Sequence, residues 1–322
     1  MTKVLALDPI REEGLSLLRD APHVELVHLP EPTEEMILDH LQDADAVILR
    51  ARRLSESAYR SAPRLRLVSR HGVGCDNIDF NLMTELGIGV AIASDSNLVS
   101  VAEHAMALTL GACKNIGVAT EAVRSGDWTV RDSLGARDLE GADTLVVGFG
   151  RIGRAYAARA AAFGARLSIY DPFMPVDAPL PEGMARVDDL ATALETAEVI
   201  SIHMPRTEQT AGLFGHEVLG KCRPGAILVN TARGGIVDER ALVSALKAGR
   251  LGFYATDVLD NEPPSLEDPL LGRSDVLVTP HSAAMTRQGA IRMATRSAQN
   301  VLDYLGGTLS PDMMALPPKP WI

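Results

Sequence analysis

The sequence predicts an α/β fold with two doubly wound parallel sheets, one in each of two domains. Short apolar runs of strand length alternate with helical segments in the first hundred residues, and the alternation resumes near residue 144. This pattern is typical of a parallel sheet with helices on both faces. A long apolar helical stretch separates the two series, and 322 residues exceed what one hydrophobic core usually holds.

The first domain is expected to contain five strands. The segments "REEGLSLLRD" and "TEEMILDHLQ" lie between them and carry apolar residues at helical spacing. The predicted strands are "VLAL" (4–7), "VELVH" (24–28), "AVIL" (46–49), "RLVS" (66–69) and "GVAIA" (89–93).

A helix is predicted over residues 97–117, "NLVSVAEHAMALTLGACKNIG". Ser100 and Glu103 match an S-x-x-E capping box, so the helix is expected to begin there. Because it is apolar nearly all round, it should be buried and connect the domains. The helical stretch after residue 287 should return to the first domain, and the tail "SPDMMALPPKPWI" should be irregular. The predicted domains are 1–98 with 288–322, and 99–287.

The second domain is expected to contain six strands, the number in a complete doubly wound nucleotide-binding domain. In the helix "DERALVSALKAG", Asp238 is the predicted N-cap and Gly249 follows the last turn. The predicted strands are "TLVVG" (144–148), "RLSIY" (166–170), "VISI" (199–202), "AILVN" (226–230), "FYAT" (253–256) and "VLVT" (276–279).

The composition excludes several classes of protein. The net charge of −11 argues against nucleic acid as a partner, because phosphate binding needs a basic footprint. Cys75, Cys113 and Cys222 are far apart and form no CxxC, which argues against a disulfide framework, against a zinc site and for a reducing compartment. The N-terminal apolar run is too short for a signal peptide, and no run approaches the roughly 20 residues of a membrane span. We therefore expect a cytoplasmic protein with no membrane partner.

A glycine-rich turn follows the first strand of the second domain. Gly148, Gly150 and Gly153 form G-x-G-x-x-G at the start of a helix, and Asp171 follows the next strand. This context is what the dinucleotide-binding fingerprint requires, since the glycines allow a tight turn, approach of the pyrophosphate and close helix packing. Asp171 would accept hydrogen bonds from the adenosine ribose and repel a 2′-phosphate, which favours NAD over NADP. The alternative is an ordinary glycine turn with a solvated aspartate. The residues predicted to bind the cofactor at this turn are Gly148, Gly150, Arg151, Ile152 and Gly153.

Polar residues also follow the other strands of this domain, at the edge where open parallel sheets bind ligands. His281 is the residue type most often used as a proton donor and acceptor near neutral pH. Glu262 would orient its ring and favour its protonated form. An incidental surface loop is the alternative for this pair. The residues that follow the third to sixth strands are His203, Pro205, Thr231, Ala232, Arg233, Asp257, Glu262 and His281. Arg233, Glu262 and His281 are the predicted catalytic residues, and the other five are predicted to bind the cofactor.

Arg233 ends the apolar strand "AILVN" in "NTARGGIVDE". A guanidinium is always charged, and its planar fork can hold a carboxylate together with a neighbouring carbonyl oxygen. Gly234 and Gly235 would permit close approach of the backbone. The alternative, an exposed arginine at a strand end, is less favoured because the same edge carries the other ligand-binding features.

The first domain has its own ligand edge. The glycine-rich loop "HGVGCD" after Arg70 offers backbone amides that could hold an anion. Arg50 and Arg70 could read a second anionic group on a substrate, a phosphate, sulfonate or carboxylate, or they could pair with acids such as Asp76 or stay in solvent. Solvated surface is the interpretation for Arg52, Arg53 and His71, and a satisfied core or interface histidine for His104.

These stretches together resemble the D-isomer-specific 2-hydroxyacid dehydrogenase family, near its phosphoglycerate dehydrogenase branch. The matching segments are "SRHGVGCDNID" (69–79), "SVAEHAMAL" (100–108), "VVGFGRIGR" (146–154), "VNTARGGIVDE" (229–239), "DVLDNEPP" (257–264) and "TPHSAA" (279–284). The resemblance implies a flavodoxin-like substrate domain and a Rossmann NAD-binding domain with a cleft between them.

The resemblance also implies roles for individual residues. Arg233 would bind the substrate carboxylate and carbonyl, and Glu262 and His281 would form the acid–base pair. The amides of Val73 and Gly74 would hold the substrate carboxylate, Asp171 the adenosine ribose and Asp257 the nicotinamide carboxamide. Family members are typically dimers in which the connecting helix takes part. The expected partner is thus a small 2-hydroxy or 2-keto acid.

Two other functions are compatible with the same segments. An NAD-sensing corepressor-like binding protein would retain the same arginine, glutamate and histidine, but it should have an apolar peptide groove, of which the sequence gives no sign. A phosphite-type or formate-type dehydrogenase is the second alternative. The formate enzymes have glutamine where Glu262 stands, which weakens it.

Overall fold

The computed structural model describes residues 1–317 and divides into two compact units. Unit 1 comprises Met1–Asn97 and the chain from Ala284 onward, and unit 2 comprises Leu98–Ala283. These divisions lie within a few residues of the predicted boundaries at 98/99 and 287/288. Both units have the predicted α/β architecture.

The elements follow the predicted alternation of strands and helices. The strands are β1 (Thr2–Leu7), β2 (Val24–Leu29), β3 (Ala46–Leu49), β4 (Leu67–Arg70), β5 (Gly89–Ile92), β6 (Asp143–Val147), β7 (Arg166–Tyr170), β8 (Met184–Arg186), β9 (Val199–Ile202), β10 (Ala226–Asn230), β11 (Leu251–Thr256), β12 (Val276–Val278) and β13 (Met314–Leu316). The helices are α1 (Glu12–Arg19), α2 (Glu34–Leu41), α3 (Glu56–Arg60), α4 (Phe80–Leu86), α5 (Leu98–Cys113), α6 (Ile116–Arg124), α7 (Arg151–Ala162), α8 (Leu190–Thr196), α9 (His216–Lys221), α10 (Glu239–Lys247) and α11 (Arg287–Leu305).

Unit 1 is a sheet of order β13-β5-β4-β3-β1-β2, with apolar side chains buried on both of its faces. Strands β1 to β5 are parallel to one another, so their carboxyl ends share one edge of the sheet. Helix α11 packs on α1, and a Cβ on Gly14 would lie 2.4 Å from the carbonyl oxygen of Ala294. Only glycine permits this close packing of the two helices.

The tail of unit 1 differs from the prediction. The sequence predicts irregular structure, but Pro311–Met313 form a 3₁₀ turn and β13 pairs antiparallel with β5. A strand of three residues is too short to show a periodic pattern, so only the tertiary pairing reveals it. Residues 318–322 of the predicted tail lie outside the described residues.

Unit 2 is a parallel sheet of order β12-β11-β10-β9-β6-β7-β8, with a hydrophobic cluster on each face. The six predicted strands are present. The sequence does not predict the seventh, β8, because its three residues "MAR" carry no apolar alternation. Asp238 caps α10 as predicted, accepting from the amides of Arg240 and Ala241, and Gly249 has φ +67° after the last turn.

The connecting helix begins and ends at residues other than those that the sequence predicts. Helix α5 begins at Leu98, so Ser100 is a buried residue of the first turn and the predicted capping box does not mark the start. It ends at Cys113, and Asn115, with φ +51°, precedes a separate helix α6. No residue of α6 is buried, and Ile116 and Val123 are about half exposed.

Among the described helices, none combines the length and the apolar character needed to cross a membrane. Within residues 1–317, no group of three or more His, Cys, Asp or Glu side chains is placed to hold a metal ion. Among the described residues, the three cysteines form no disulfide.

Candidate active site

The glycine turn lies between β6 and α7. Gly148 has φ +96°, and a Cβ there would lie 2.8 Å from the backbone of His203. A Cβ on Gly153 would lie 2.0 Å from the carbonyl oxygen of Gly148, so the third glycine allows α7 to pack on the turn. Gly150 is the N-cap of α7, and a Cβ there would meet no atom within 4 Å. Open space therefore faces the amides at the N-terminus of α7, where an anion is stabilised.

Asp171 follows β7 and connects the two loops at this edge. Its Oδ2 accepts a hydrogen bond from the amide of Phe149 at 2.7 Å, and its Oδ1 accepts from the amide of Phe173 at 2.9 Å. Each carboxylate oxygen can accept a further bond. The aspartate therefore holds the glycine turn in place and keeps acceptor capacity for a ribose hydroxyl.

The turn after β10 is braced by Asn230, a residue that the sequence motifs do not single out. Its side chain is buried, donates to the carbonyl of Arg233 at 2.9 Å and accepts from the amide of Ala232 at 3.0 Å. A Cβ on Gly234 would lie 2.0 Å from the carbonyl oxygen of Leu259, which explains the glycine. An asparagine that ends a strand before a turn is the signal that could have identified this brace.

Arg233 leaves this braced turn half-buried. Its Nη1 donates to the carbonyl of Ala232 at 2.6 Å, which anchors one side of the guanidinium. A guanidinium carries five N–H donors in a planar fork, a geometry that matches a carboxylate. The hydroxyl oxygen of Thr231 is buried and meets no hydrogen-bond partner within residues 1–317.

His281 and Glu262 are in direct contact. The Nδ1 atom of His281 lies 2.6 Å from Oε2 of Glu262, and Oε1 accepts from the amide of Leu259 at 3.0 Å. An ionised carboxylate only accepts, so Nδ1 carries the proton and Nε2 is the atom left to exchange one. The His281 side chain is half exposed, and its backbone has φ +49°.

Asp257 is a carboxylate that is 1% exposed at the end of β11. Its Oδ1 accepts from the amide of Ser282 at 2.9 Å, and its Oδ2 accepts from the amide of Ala283 at 2.8 Å. The hydroxyl of Thr279 adds a third hydrogen bond to Oδ1 at 2.6 Å. Asp257 therefore pins the backbone on both sides of His281, a role that its position after a strand did not reveal.

His203 and Pro205 follow β9. The His203 ring faces inward, with Nε2 at 2.8 Å from the hydroxyl of Ser201 and the ring centroid 4.8 Å from that of Tyr156. Burial lowers the pKa of His203 to about 3, so the ring is neutral. The carbonyl of Pro205 accepts from the hydroxyl of Thr210 at 2.7 Å. The His203 backbone, which lines the glycine turn, is thus the part nearest the predicted cofactor edge.

In unit 1, Arg70 is engaged by its own loop. Its guanidinium donates to the carbonyls of Gly74 at 2.7 Å and His71 at 2.8 Å. The amides of Val73 and Gly74 have no acceptor among the described residues. Arg70 therefore shapes a loop whose amides can receive a carboxylate.

Arg50 has weaker partners than Arg70. It donates to the carbonyl of Pro9 at 3.3 Å and contacts the sulfur of Met285 at 3.4 Å. Arg52 pairs with Asp8 at 3.1 Å, and Arg53 donates to the carbonyl of Asp76 at 2.8 Å. Of the four, Arg50 is the arginine held least firmly by the protein.

The interpretation of His71 as solvated surface is wrong. The residue is 5% exposed, and neither ring nitrogen has a partner within residues 1–317. Burial, with Arg50 and then Arg70 nearby, lowers the pKa of His71 to about 4. The residue directly follows buried β4 and stays inside the fold, which its polar type does not indicate. His71 and Arg50 line one cavity of about 470 Å³, together with Arg11, Met285 and Thr286.

The residues of unit 2 fit the dinucleotide that the sequence predicts. The open space at Gly150 matches the glycine that should face the pyrophosphate. Thr231 supplies a buried hydroxyl whose oxygen meets no partner among residues 1–317, and Asp171 supplies carboxylate oxygens with spare acceptor capacity. His281 and Glu262 are held together in the same unit, at the carboxyl ends of its strands.

Comparisons with known proteins identify the family to which the chain is similar. Residues 106–283 match the family described as D-isomer specific 2-hydroxyacid dehydrogenase, NAD binding domain. A D-3-phosphoglycerate dehydrogenase from Methanocaldococcus jannaschii is 36% identical over 321 residues, 99% of this chain and 60% of that protein. The chain thus spans about three fifths of the length of this curated relative.

Solved structures have the same fold over their whole length. A protein from Thermus thermophilus is 30% identical with a TM-score of 0.86, covering 98% of this chain and 100% of its own. The NAD-dependent formate dehydrogenase from Staphylococcus aureus, solved in complex with NAD, is 28% identical with a TM-score of 0.86 and the same coverage.

Proposed function

The chain belongs to the D-isomer specific 2-hydroxyacid dehydrogenase family, and on that premise we propose that it interconverts a D-2-hydroxy acid and its 2-keto acid. The observation that carries the proposal is the contact of His281 with Glu262 in the unit that holds the glycine turn. When bound, NADH supplies the hydride that reduces the keto carbon.

The cofactor would be held by the turn between β6 and α7. Gly150 and the first amides of α7 receive the pyrophosphate, and Asp171 receives the adenosine ribose. The Asp171 carboxylate repels a 2′-phosphate, so NAD is preferred to NADP. The buried hydroxyl of Thr231 offers a further hydrogen bond at the same sheet edge.

His281 would act as the general acid and base through Nε2. In reduction, the imidazolium donates its Nε2 proton to the carbonyl oxygen as that oxygen gains charge. In oxidation, neutral Nε2 removes the hydroxyl proton. Glu262 holds Nδ1–H in both directions and stabilises the imidazolium, which fixes the tautomer that each step needs.

Arg233 would hold the reacting end of the substrate. Its guanidinium binds the carboxylate and polarises the neighbouring carbonyl, which stabilises the developing alkoxide. In unit 1, the amides of Val73 and Gly74 have no acceptor among the described residues and would receive a carboxylate. Arg70 supports them by holding the carbonyl of Gly74.

The substrate would carry a second anionic group, read by Arg50. Arg50 borders the cavity that is also lined by Arg11 and by a buried His71 without a hydrogen-bond partner among residues 1–317. Two guanidiniums and an imidazole suit a phosphate, sulfonate or carboxylate. Arg70 is a weaker candidate for this contact, because backbone carbonyls already engage its guanidinium.

A substrate screen tests the function. Plain 2-keto acids such as glyoxylate and pyruvate are compared with 3-phosphohydroxypyruvate and 3-sulfopyruvate, and NADH consumption is followed by absorbance. Arg50→Ala should lower kcat/KM for the dianionic acids relative to the plain ones. The loss of transition-state stabilisation should be about 1.5–3 kcal/mol, the value of a hydrogen bond to a charged group. Arg53→Ala is the matched control. No NADH oxidation with any 2-keto acid would refute the dehydrogenase, and equal losses on all acids would refute the anion contact.

We also infer that the protein is a cytoplasmic homodimer without a nucleic-acid partner. The apolar side chains of Ile116, Val123 and Trp128 are 54%, 51% and 68% exposed along α6 and the segment after it. An exposed apolar stripe of this kind is suited to a second copy. Light scattering on the wild type and on Val123→Asp should give a dimer and a monomer; a monomeric wild type would refute the inference. The net charge of −11 supports the absence of a nucleic-acid partner, and three cysteines without a disulfide support a cytoplasmic location.

A further inference from the structure

His104 lies on α5, a helix that packs against β10 and β11. Its side chain is 23% exposed, and its Nε2 lies 2.9 Å from the hydroxyl oxygen of Thr279 and 3.5 Å from Oδ1 of Asp257. None of the steps above uses this imidazole. Its partner Thr279 nevertheless precedes His281 by two positions, with a single proline between them.

The direction of the hydrogen bonds can be assigned. The hydroxyl of Thr279 has one proton, and its shortest contact is the buried Asp257 carboxylate at 2.6 Å. A carboxylate can only accept, so Thr279 donates to it. The hydroxyl oxygen must then accept from His104, whose Nε2 therefore carries the proton. The chain of hydrogen bonds runs from His104 through Thr279 to Asp257.

The chain ends on the backbone around His281. Asp257 accepts from the amides of Ser282 and Ala283, which follow His281 in the sequence. It also accepts from the hydroxyl of Thr279, which precedes His281. Between these fixed points His281 has φ +49°, a left-handed conformation that a residue other than glycine adopts at a cost. A strained residue keeps such a conformation only when its surroundings hold it.

We propose that His104 is a positioning residue for the acid–base pair: through Thr279 and Asp257 it holds the His281 backbone in the conformation in which the imidazole meets Glu262. The proposal rests on the proposed function for its kinetic consequence only. His104 does not touch the reacting atoms. Its removal leaves Thr279 without a donor and frees the hydroxyl to rotate towards the carbonyl of Thr256, which lies 3.3 Å away.

The test uses the full chain and four variants. His104→Leu removes the donor, His104→Gln replaces it with an amide donor, and Thr279→Val breaks the next link with little change of shape. His216→Leu, at an exposed histidine on α9, is the matched control. We expect His104→Leu and Thr279→Val to lower kcat roughly 10–100-fold with the KM for NADH close to wild type, since misplacement of a catalytic group acts on turnover. His104→Gln should recover most of the loss.

A second readout needs no substrate. NMR of isotope-labelled histidine reports the Nδ1 proton of His281 in its short bond to Glu262. This signal should shift or broaden in His104→Leu and Thr279→Val, and it should stay in His104→Gln and His216→Leu. If no 2-keto acid is turned over, the proposed function fails while this signal still decides the role of His104.

Three results would overturn the proposal. They are a wild-type kcat in His104→Leu, an unchanged His281 signal in that variant, and a loss in His104→Gln as large as that in His104→Leu. If His104→Leu does not fold, the comparison of His104→Gln with Thr279→Val decides, because the proposal requires the first to be active and the second impaired.

Discussion

The Nδ1 atom of His281 lies 2.6 Å from Oε2 of Glu262, and the other oxygen of that carboxylate accepts from the amide of Leu259 at 3.0 Å. The backbone of its own loop thus holds the carboxylate, and the carboxylate in turn orients the imidazole ring. Nδ1 therefore keeps its proton in the hydrogen bond to Glu262, and Nε2 is the atom that can exchange a proton with a substrate.

This contact predicts the behaviour of two variants. His281→Ala should lose on the order of 10²–10⁴ in kcat, because the proton donor is gone, while NADH binding measured by fluorescence titration stays close to wild type. Glu262→Gln keeps the shape of the side chain and removes its charge, so its loss should be smaller than that of His281→Ala. Near-normal turnover in His281→Ala would contradict the mechanism.

Asp171 predicts the choice of cofactor. Replacing it by serine removes the charge that repels a 2′-phosphate, so the ratio of kcat/KM for NADH over NADPH should fall. Asp177→Ser, at an exposed position further along the same loop, should leave the ratio unchanged. A wild-type enzyme that already uses NADPH as well as NADH would show that Asp171 does not set the preference.

Two glycines of one turn should separate binding from stability. A Cβ on Gly153 would lie 2.0 Å from the carbonyl oxygen of Gly148, so Gly153→Ala should lower the free energy of unfolding by about 1–3 kcal/mol. A Cβ on Gly150 meets no protein atom within 4 Å, so Gly150→Ala should keep its Tm and weaken NADH binding. Unchanged NADH affinity in Gly150→Ala would mean that the cofactor does not occupy this space.

His71 predicts a loss of stability in acid. Its pKa is lowered to about 4 in the fold, chiefly by burial, from 6.5 in the unfolded chain. Below pH 6.5 the unfolded chain binds a proton that the folded chain does not, so the stability contribution falls as the pH drops towards 4. The fall between pH 7 and pH 5 should be about 2 kcal/mol for this residue.

Urea unfolding at the two pH values measures that loss. His71→Leu has no group to protonate, so its stability should depend less on pH than that of the wild type by about the same 2 kcal/mol. His203, whose pKa is lowered to about 3, is the same in both proteins, so its effect cancels from the comparison. An equal acid loss in both proteins would show that His71 titrates normally.

The sequence predicts most of the architecture because the buried parallel strands are continuous apolar runs with glycines and polar residues at their ends. The strands that it misses are β8 and β13, because three residues are too few to show a periodic pattern and only their pairing partners identify them. The predicted start of α5 is misplaced because Ser100 matches a cap by type but is buried inside the first turn.

The sequence likewise predicts some features of the site and not others. The position of a residue after a strand is local information, so His281, Glu262 and the glycine turn could be named from the sequence. Which atoms meet is not local. The contacts of Asp257 with the loop around His281, and of His104 with Thr279 across 175 positions, form only when the fold closes. The burial of His71 likewise depends on the elements packed around it.

The packing of α11 on α1 has a consequence for synthesis of the protein. Unit 2 is built from one continuous stretch, so its sheet can close as soon as Ala283 has left the ribosome. Unit 1 begins first but cannot finish, since Gly14 awaits Ala294 and β5 awaits β13. The nascent amino-terminal strands must therefore wait, with an apolar flank uncovered, until the inserted unit has been translated. A nascent chain stalled with Ala283 outside the exit tunnel and α11 still inside it should have a protease-resistant unit 2 and a protease-sensitive segment Met1–Asn97.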